Sequence, residues 1–138
     1  MNVVYVLDAC AMLAVLSKEL GADKVVAVYK KAATGEATLI INKLNLLEVY
    51  YVLFREYGKE HAGMFLEEIK ESPIAINHSI SDELFMEAGR LKAYYKISLA
   101  DSIALAEAAI SGGVLLTADH HEFDVIDNDG RIKFLWIR

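Results

Sequence analysis

Val3-Val4-Tyr5-Val6-Leu7-Asp8 is a β-branched and aromatic run closed by an acid, the composition of a short buried strand with a carboxylate at its end. Val114-Leu115-Leu116-Thr117 repeats the plan, with Asp119 two residues further on. Thr38-Leu39-Ile40-Ile41, Ile74-Ala75-Ile76 and residues 132–137 are the remaining strand candidates. Helix-like segments separate them, over 9–18, 22–33, 43–57, 60–70, 82 to about 94, and 98–111. In 43–57, Leu44, Leu47, Tyr51 and Phe54 fall at the spacing of one helical face. Ser79 and Asp82 have the spacing of a capping box ahead of the fifth helix. Gly112-Gly113 stops the sixth, and Asn128-Asp129-Gly130 reads as a turn before the last strand. Strands alternating with helices predict an α/β fold, a parallel sheet of about five strands flanked by helices on both faces. In such sheets ligands bind beyond the carboxyl ends of the strands.

Asp8 and Asp119 stand at two such ends. Two more acids occupy helices that otherwise want burial. Glu48 has Leu44, Asn45, Tyr51 and Val52 as helical neighbours, and Asp101 has Ile97, Ser98, Ala104 and Leu105. No Lys or Arg is among them, so each carboxylate requires a cation, hydrogen bonds or a proton. Four ionised acids in one cleft repel one another, and Mg²⁺ or Mn²⁺, which take oxygen ligands, relieve that repulsion. Such ions activate water and stabilise the leaving oxygen of a phosphodiester. Asp8, Glu48, Asp101 and Asp119 are therefore the candidate catalytic and metal-binding residues.

Each acid also has a local explanation. Asp8 suits the N-cap of the following helix, Glu48 the third residue after an Asn45 cap, and Asp101 the third after Ser98. Asp119 suits the start of a turn. Capping accounts for each separately but does not predict all four in this order.

The totals limit the alternatives. The chain has 138 residues, 55% of them hydrophobic, which suffices for one domain with a sizeable core. Charges interrupt every apolar stretch before the ~20 residues that a membrane crossing needs. The N-terminal residues have no basic run or small-residue cleavage site, so no signal peptide is expected. Cys10 is the single cysteine and fits a reducing compartment. The expectation is a soluble cytoplasmic protein. A net charge of −6 argues against non-specific nucleic-acid binding, while metal ions in the site can invert the local charge.

The order Val4-Tyr5-Val6-Leu7-Asp8, Asn45-Leu46-Leu47-Glu48-Val49, Ser98-Leu99-Ala100-Asp101-Ser102-Ile103-Ala104-Leu105-Ala106 and Leu116-Thr117-Ala118-Asp119 resembles the PIN-domain family, and most of all its VapC-type toxin branch. The resemblance runs from the first strand to Asp119-His120-His121-Glu122-Phe123. It implies a single PIN-like nuclease domain over 1–138: an endoribonuclease dependent on Mg²⁺ or Mn²⁺, often a homodimer, and commonly silenced by a small VapB-type antitoxin. By position, Asp8, Glu48, Asp101 and Asp119 match the family's acidic metal-binding residues. Thr117 matches its hydroxyl residue, expected to hydrogen-bond a carboxylate or a metal-bound water. The chain departs from the family at Cys10, where Ser, Thr or Asn is usual and a thiol bonds more weakly. That departure keeps a second reading open, a catalytically weak PIN-like module that binds RNA or a protein.

Arg55, Arg90, Lys92 and Lys96 are candidates for contacting RNA phosphates, although a solvated helix face explains them equally. His120 and His121 are read as turn residues facing solvent or substrate, His61 and His78 as surface residues, and Asp124 as a surface or turn acid. Tyr50-Tyr51 and Tyr94-Tyr95 are read as core or interface before base stacking. Haloacid-dehalogenase-like phosphatases need a second Asp where Cys10 stands. Receiver domains need an acid pair near the start and a Lys after a late strand, and neither is present.

Overall fold

The computed structural model describes residues 2–138. Its elements run β1 (Val3–Leu7), α1 (Ala9–Leu16), α2 (Ala22–Ala33), β2 (Ala37–Asn42), α3 (Lys43–Tyr57), α4 (Lys59–Lys70), β3 (Ile74–Asn77), α5 (Asp82–Tyr94), α6 (Leu99–Ser111), β4 (Val114–Thr117), α7 (His120–Asp129) and β5 (Lys133–Trp136). The five strands form one parallel sheet in the order β3-β2-β1-β4-β5. Successive side chains of a strand face opposite ways, so β1, β4 and β5 each feed two cores. Leu7, Leu39, Ile41 and Leu116 pack under α1, α2, α3 and α4. Val6 and Leu115 pack under α5, α6 and α7. The alternating α/β fold expected from the sequence is the one observed.

The chain builds outward from β1 to β2 and β3, then returns to place β4 on the other side of β1. That reversal makes the β1–β4 boundary the topological switch point, where a crevice opens beyond the strand ends. Leu7 and Leu116 are paired across it. The residues that follow them, Asp8 and Thr117, stand at its mouth.

Three local expectations are corrected. Residues 120–129 form a helix, α7, where a turn was expected. The cap of α5 is Ser81, whose Oγ accepts from Leu84 N–H at 3.1 Å. Ser79 instead bonds Asn77 Oδ1 through its backbone N–H and its hydroxyl. On α3 the buried stripe is Asn45, Leu46, Val49 and Leu53, whereas Leu47, Tyr51 and Phe54 are 43–52% exposed. The helix is apolar on two sides, and its neighbours, chiefly α4, α6 and α1, cover only one.

Gly21 precedes α2 with φ +94°, and a Cβ there would lie 2.3 Å from the Ile137 carbonyl oxygen. A left-handed backbone and a clash with fixed main chain act in the same direction. Gly21→Ala is expected to lower stability by about 2 kcal/mol or more, read as a lower denaturant midpoint with an unchanged slope.

Candidate active site

Four carboxylates reach the crevice from four separate elements. Asp8 follows β1 and is 4% exposed. Asp119 follows β4, while Glu48 and Asp101 project from α3 and α6; these three are half-buried. Their charges act on one another. Asp101 and Asp119 both raise the pKa of Asp8 and that of Glu48, and Asp119 raises that of Asp101. Among the described residues none of the four takes part in a salt bridge.

Capping and clustering coexist. Asp8 Oδ1 accepts from Ala11 N–H at 2.8 Å and caps α1. Asp119 Oδ1 accepts from Glu122 N–H at 3.2 Å and caps α7. Each helix N-terminus thus anchors a carboxylate at the crevice by an orphan N–H. Ser98 caps α6 by accepting from the backbone N–H of Asp101, and burial raises the Asp101 pKa with hydrogen bonding from the Ser98 hydroxyl offsetting only part of the rise. Glu48 has no such local role: α3 is capped by Asn42, whose Oδ1 takes Leu44 N–H at 2.9 Å. Asn45 instead donates its Nδ2 to Ala100 O at 2.9 Å, and its Oδ1 is buried with no hydrogen-bond partner.

Burial is the largest influence on Asp8, Glu48 and Asp101. It pushes Asp8 up to about 7, against hydrogen bonding from the Thr117 hydroxyl and Ala11 N–H, and the charges of Asp101 and Asp119 add to it. Burial raises Glu48 and Asp101 as well. Thr117, fully buried, also accepts from Asp119 N–H at 3.1 Å, so one hydroxyl serves both strand-end acids. Burial likewise raises the Cys10 thiol, as does the charge of Asp8, against hydrogen bonding from the Ala118 backbone.

Donor chemistry fits a hard cation: the groups are carboxylates, and the charge they concentrate has no protein counter-ion. Among the described residues no three His, Cys, Asp or Glu side chains converge closely enough to hold a metal ion as they stand.

The structure adds Glu122, half-buried on the first turn of α7, whose charge raises the pKa of Asp101. Recognising α7 as a helix was the step needed to find it. His120 stacks on Trp136 with ring centroids 3.8 Å apart, and its nitrogens lie 2.8 Å from Asp124 Oδ1 and Arg138 O. His121 is 93% exposed; the two rings do diverge, but on a helix. His78 is exposed, and His61 lies on the surface with its ring 4.8 Å from Tyr57. Tyr51 and Tyr94 are exposed, while Tyr50 packs against the core beside α1 to α4 and Tyr95 against that beside α5 to α7. Of the basic candidates, Arg55 lies over the Tyr51 ring and Arg90 pairs with Glu87 at 2.6 Å. Lys92 and Lys96 are exposed.

The sequence matches the PIN domain family over residues 5–129. Among curated proteins, none matches it. Solved structures do. VapBC-1 from nontypeable Haemophilus influenzae shares 16% identity at a TM-score of 0.74, covering 97% of this chain and 98% of that one. A toxin–antitoxin complex from Klebsiella pneumoniae shares 18% at 0.70, with coverage of 97% and 98%. A sarcin-ricin loop cleaving toxin from Mycobacterium tuberculosis shares 15% at 0.62, covering 88% and 94%. At these identities the likeness is one of fold.

Proposed function

Because this chain belongs to the PIN domain family, we propose that residues 1–138 act as one nuclease domain, a toxin-type endoribonuclease hydrolysing RNA phosphodiesters with Mg²⁺ or Mn²⁺. The observation that carries this reading is the meeting of Asp8, Glu48, Asp101 and Asp119 at the switch point with no basic partner. These four residues would hold the cation, after side-chain rotations that bring them onto it. When bound, the cation supplies an activated water and neutralises charge on the scissile phosphate.

The chain's own residues do the positioning. The N–H groups of α1 and α7 fix Asp8 and Asp119, and Thr117 bridges the two. Its hydroxyl favours the ionised form of Asp8, the form able to bind a cation. For phosphate contacts, Arg55, Lys92 and Lys96 are the better placed of the basic candidates, since Arg90 is engaged by Glu87.

The partners follow the same pattern of support. Several of the matched structures are VapBC complexes, which supports a VapB-type antitoxin partner here. Exposed Leu47, Tyr51 and Phe54 on α3, with Phe85 and Met86 on α5, form apolar surface of the kind that supports a homodimer. No described helix is long and apolar enough to cross a membrane, which accords with the proposed cytoplasmic setting.

The test is cleavage of a structured RNA by the purified protein. Cutting is expected with Mg²⁺ or Mn²⁺, is stopped by EDTA, and returns on adding excess Mn²⁺. Cleavage that persists in EDTA contradicts a metal-dependent site. Binding without cleavage under every condition favours the binding-module reading.

A further inference from the structure

Glu107 lies on α6 and is 7% exposed, where a carboxylate is tolerated only with good hydrogen-bond partners. It has two, from two strand ends. Its Oε1 accepts from Asn42 Nδ2 at 2.7 Å and from Asn77 Nδ2. Both asparagines commit their carbonyl oxygens locally. Asn42 caps α3 through Leu44 N–H, and Asn77 takes the backbone N–H and hydroxyl of Ser79. A second, part-buried bond ties α3 itself to α6, from Asn45 to the Ala100 carbonyl. That bond falls three residues before Glu48 and one before Asp101.

We infer that Glu107 and Asn45 are positioning residues: together they clamp α3 to α6 and set the spacing of Glu48 and Asp101, and through it the cation affinity of the site. The inference rests on the metal-site reading above. Glu48 is six residues beyond Asn42 and Asp101 six before Glu107, about 9 Å along each helix at a 1.5 Å rise. A shift at the clamp therefore carries along two stiff lever arms of equal length to the two acids. Neither residue touches the reacting atoms. Their effect comes through acceptor geometry, and a neutral acceptor at position 107 can replace the carboxylate.

The experiment is calorimetric titration with Mn²⁺ of wild type, Glu107→Gln and Glu107→Met, with circular dichroism to monitor folding and RNA cleavage to separate kcat from KM. Gln keeps a carbonyl acceptor for both amides, so its Mn²⁺ affinity and kcat are expected within about twofold of wild type. Met fills the space but accepts nothing comparable. It is expected to weaken Mn²⁺ binding about 10–100-fold, lowering kcat with KM for RNA unchanged. Should the Met variant not fold, Asn45→Ala, which breaks the other tie, is expected to weaken Mn²⁺ binding in the same way. Affinity equal to wild type in the folded clamp variant overturns the inference. So does a Gln variant as impaired as Met, because charge would then matter more than geometry. Wild type that binds no Mn²⁺ overturns the metal-site reading itself and the clamp with it, and is told apart by being measured first.

Discussion

Asp101→Asn is expected to reduce metal-dependent RNA cleavage by at least about 10²-fold while leaving the fold intact. Changing a group that merely supports a metal ligand costs about 10–100-fold, and loss of a direct carboxylate ligand should exceed that. The fold should survive because the cap of α6 uses the backbone N–H of Asp101, bonded to Ser98 Oγ at 3.1 Å. An amide can still accept from the Ser98 hydroxyl. Asp8 and Asp119, by contrast, cap helices with their own carboxylates, so substitutions there that remove the acceptor combine two effects. Thermal melting within a few degrees of wild type, together with lost cleavage, is the expected pair of readings. Preserved cleavage would remove Asp101 from the site.

The second large effect concerns stability. In the metal-free protein burial raises Asp8 to about 7 from 3.8, so between those values the folded state holds a proton that the unfolded chain has released. Stability is therefore free of this penalty below about pH 4 and declines as pH rises towards 7. By pH 8 the cost of ionising Asp8 in place is on the order of 4 kcal/mol. Asp8→Asn removes the titration and preserves a competent cap. In EDTA at pH 8 the variant should melt roughly 10 °C above wild type, and at pH 4 the two should nearly coincide. Adding Mg²⁺ at pH 8 should stabilise wild type and not the variant. A difference in melting temperature that does not change with pH would show that Asp8 is not strained by its burial.

These expectations depend on residues of unequal legibility. The strands were readable because Val3–Leu7 and residues 114–116 are continuous apolar and aromatic runs, as strands between two layers of helices tend to be. α7 was not readable. His, Asp and Asn are poor helix formers, and Asp127 and Asp129 oppose the macrodipole at its C-terminal end. Tertiary contacts sustain it: Phe123 and Ile126 are buried, and Trp136 Nε1 donates to Asp127 at 2.9 Å. On α3 the apolar spacing of Leu47, Tyr51 and Phe54 was visible, but which apolar face is buried is decided by packing against neighbouring elements.

The acids divide in a similar way. Asp8, Glu48, Asp101 and Asp119 were identifiable because each lies within or just after an apolar run with no Lys or Arg beside it. Glu107, inside Leu105-Ala106-Glu107-Ala108, carries that same mark. Its meaning lies 65 residues away in Asn42, a pairing that local sequence does not contain. The cap readings for Asp8 and Asp101 were sound too, because a helix N-terminus at a crevice is itself a means of holding a carboxylate in place. Asn45 did not cap α3, and its bond to Ala100 reaches across 55 residues.

The most direct test of the central claim is cleavage of one structured RNA by wild type and Asp101→Asn, side by side, in Mn²⁺ and in EDTA. The account predicts cutting by wild type in Mn²⁺ alone and none by the variant in either. Equal activity of the two proteins, or cleavage by wild type that EDTA leaves untouched, would contradict it.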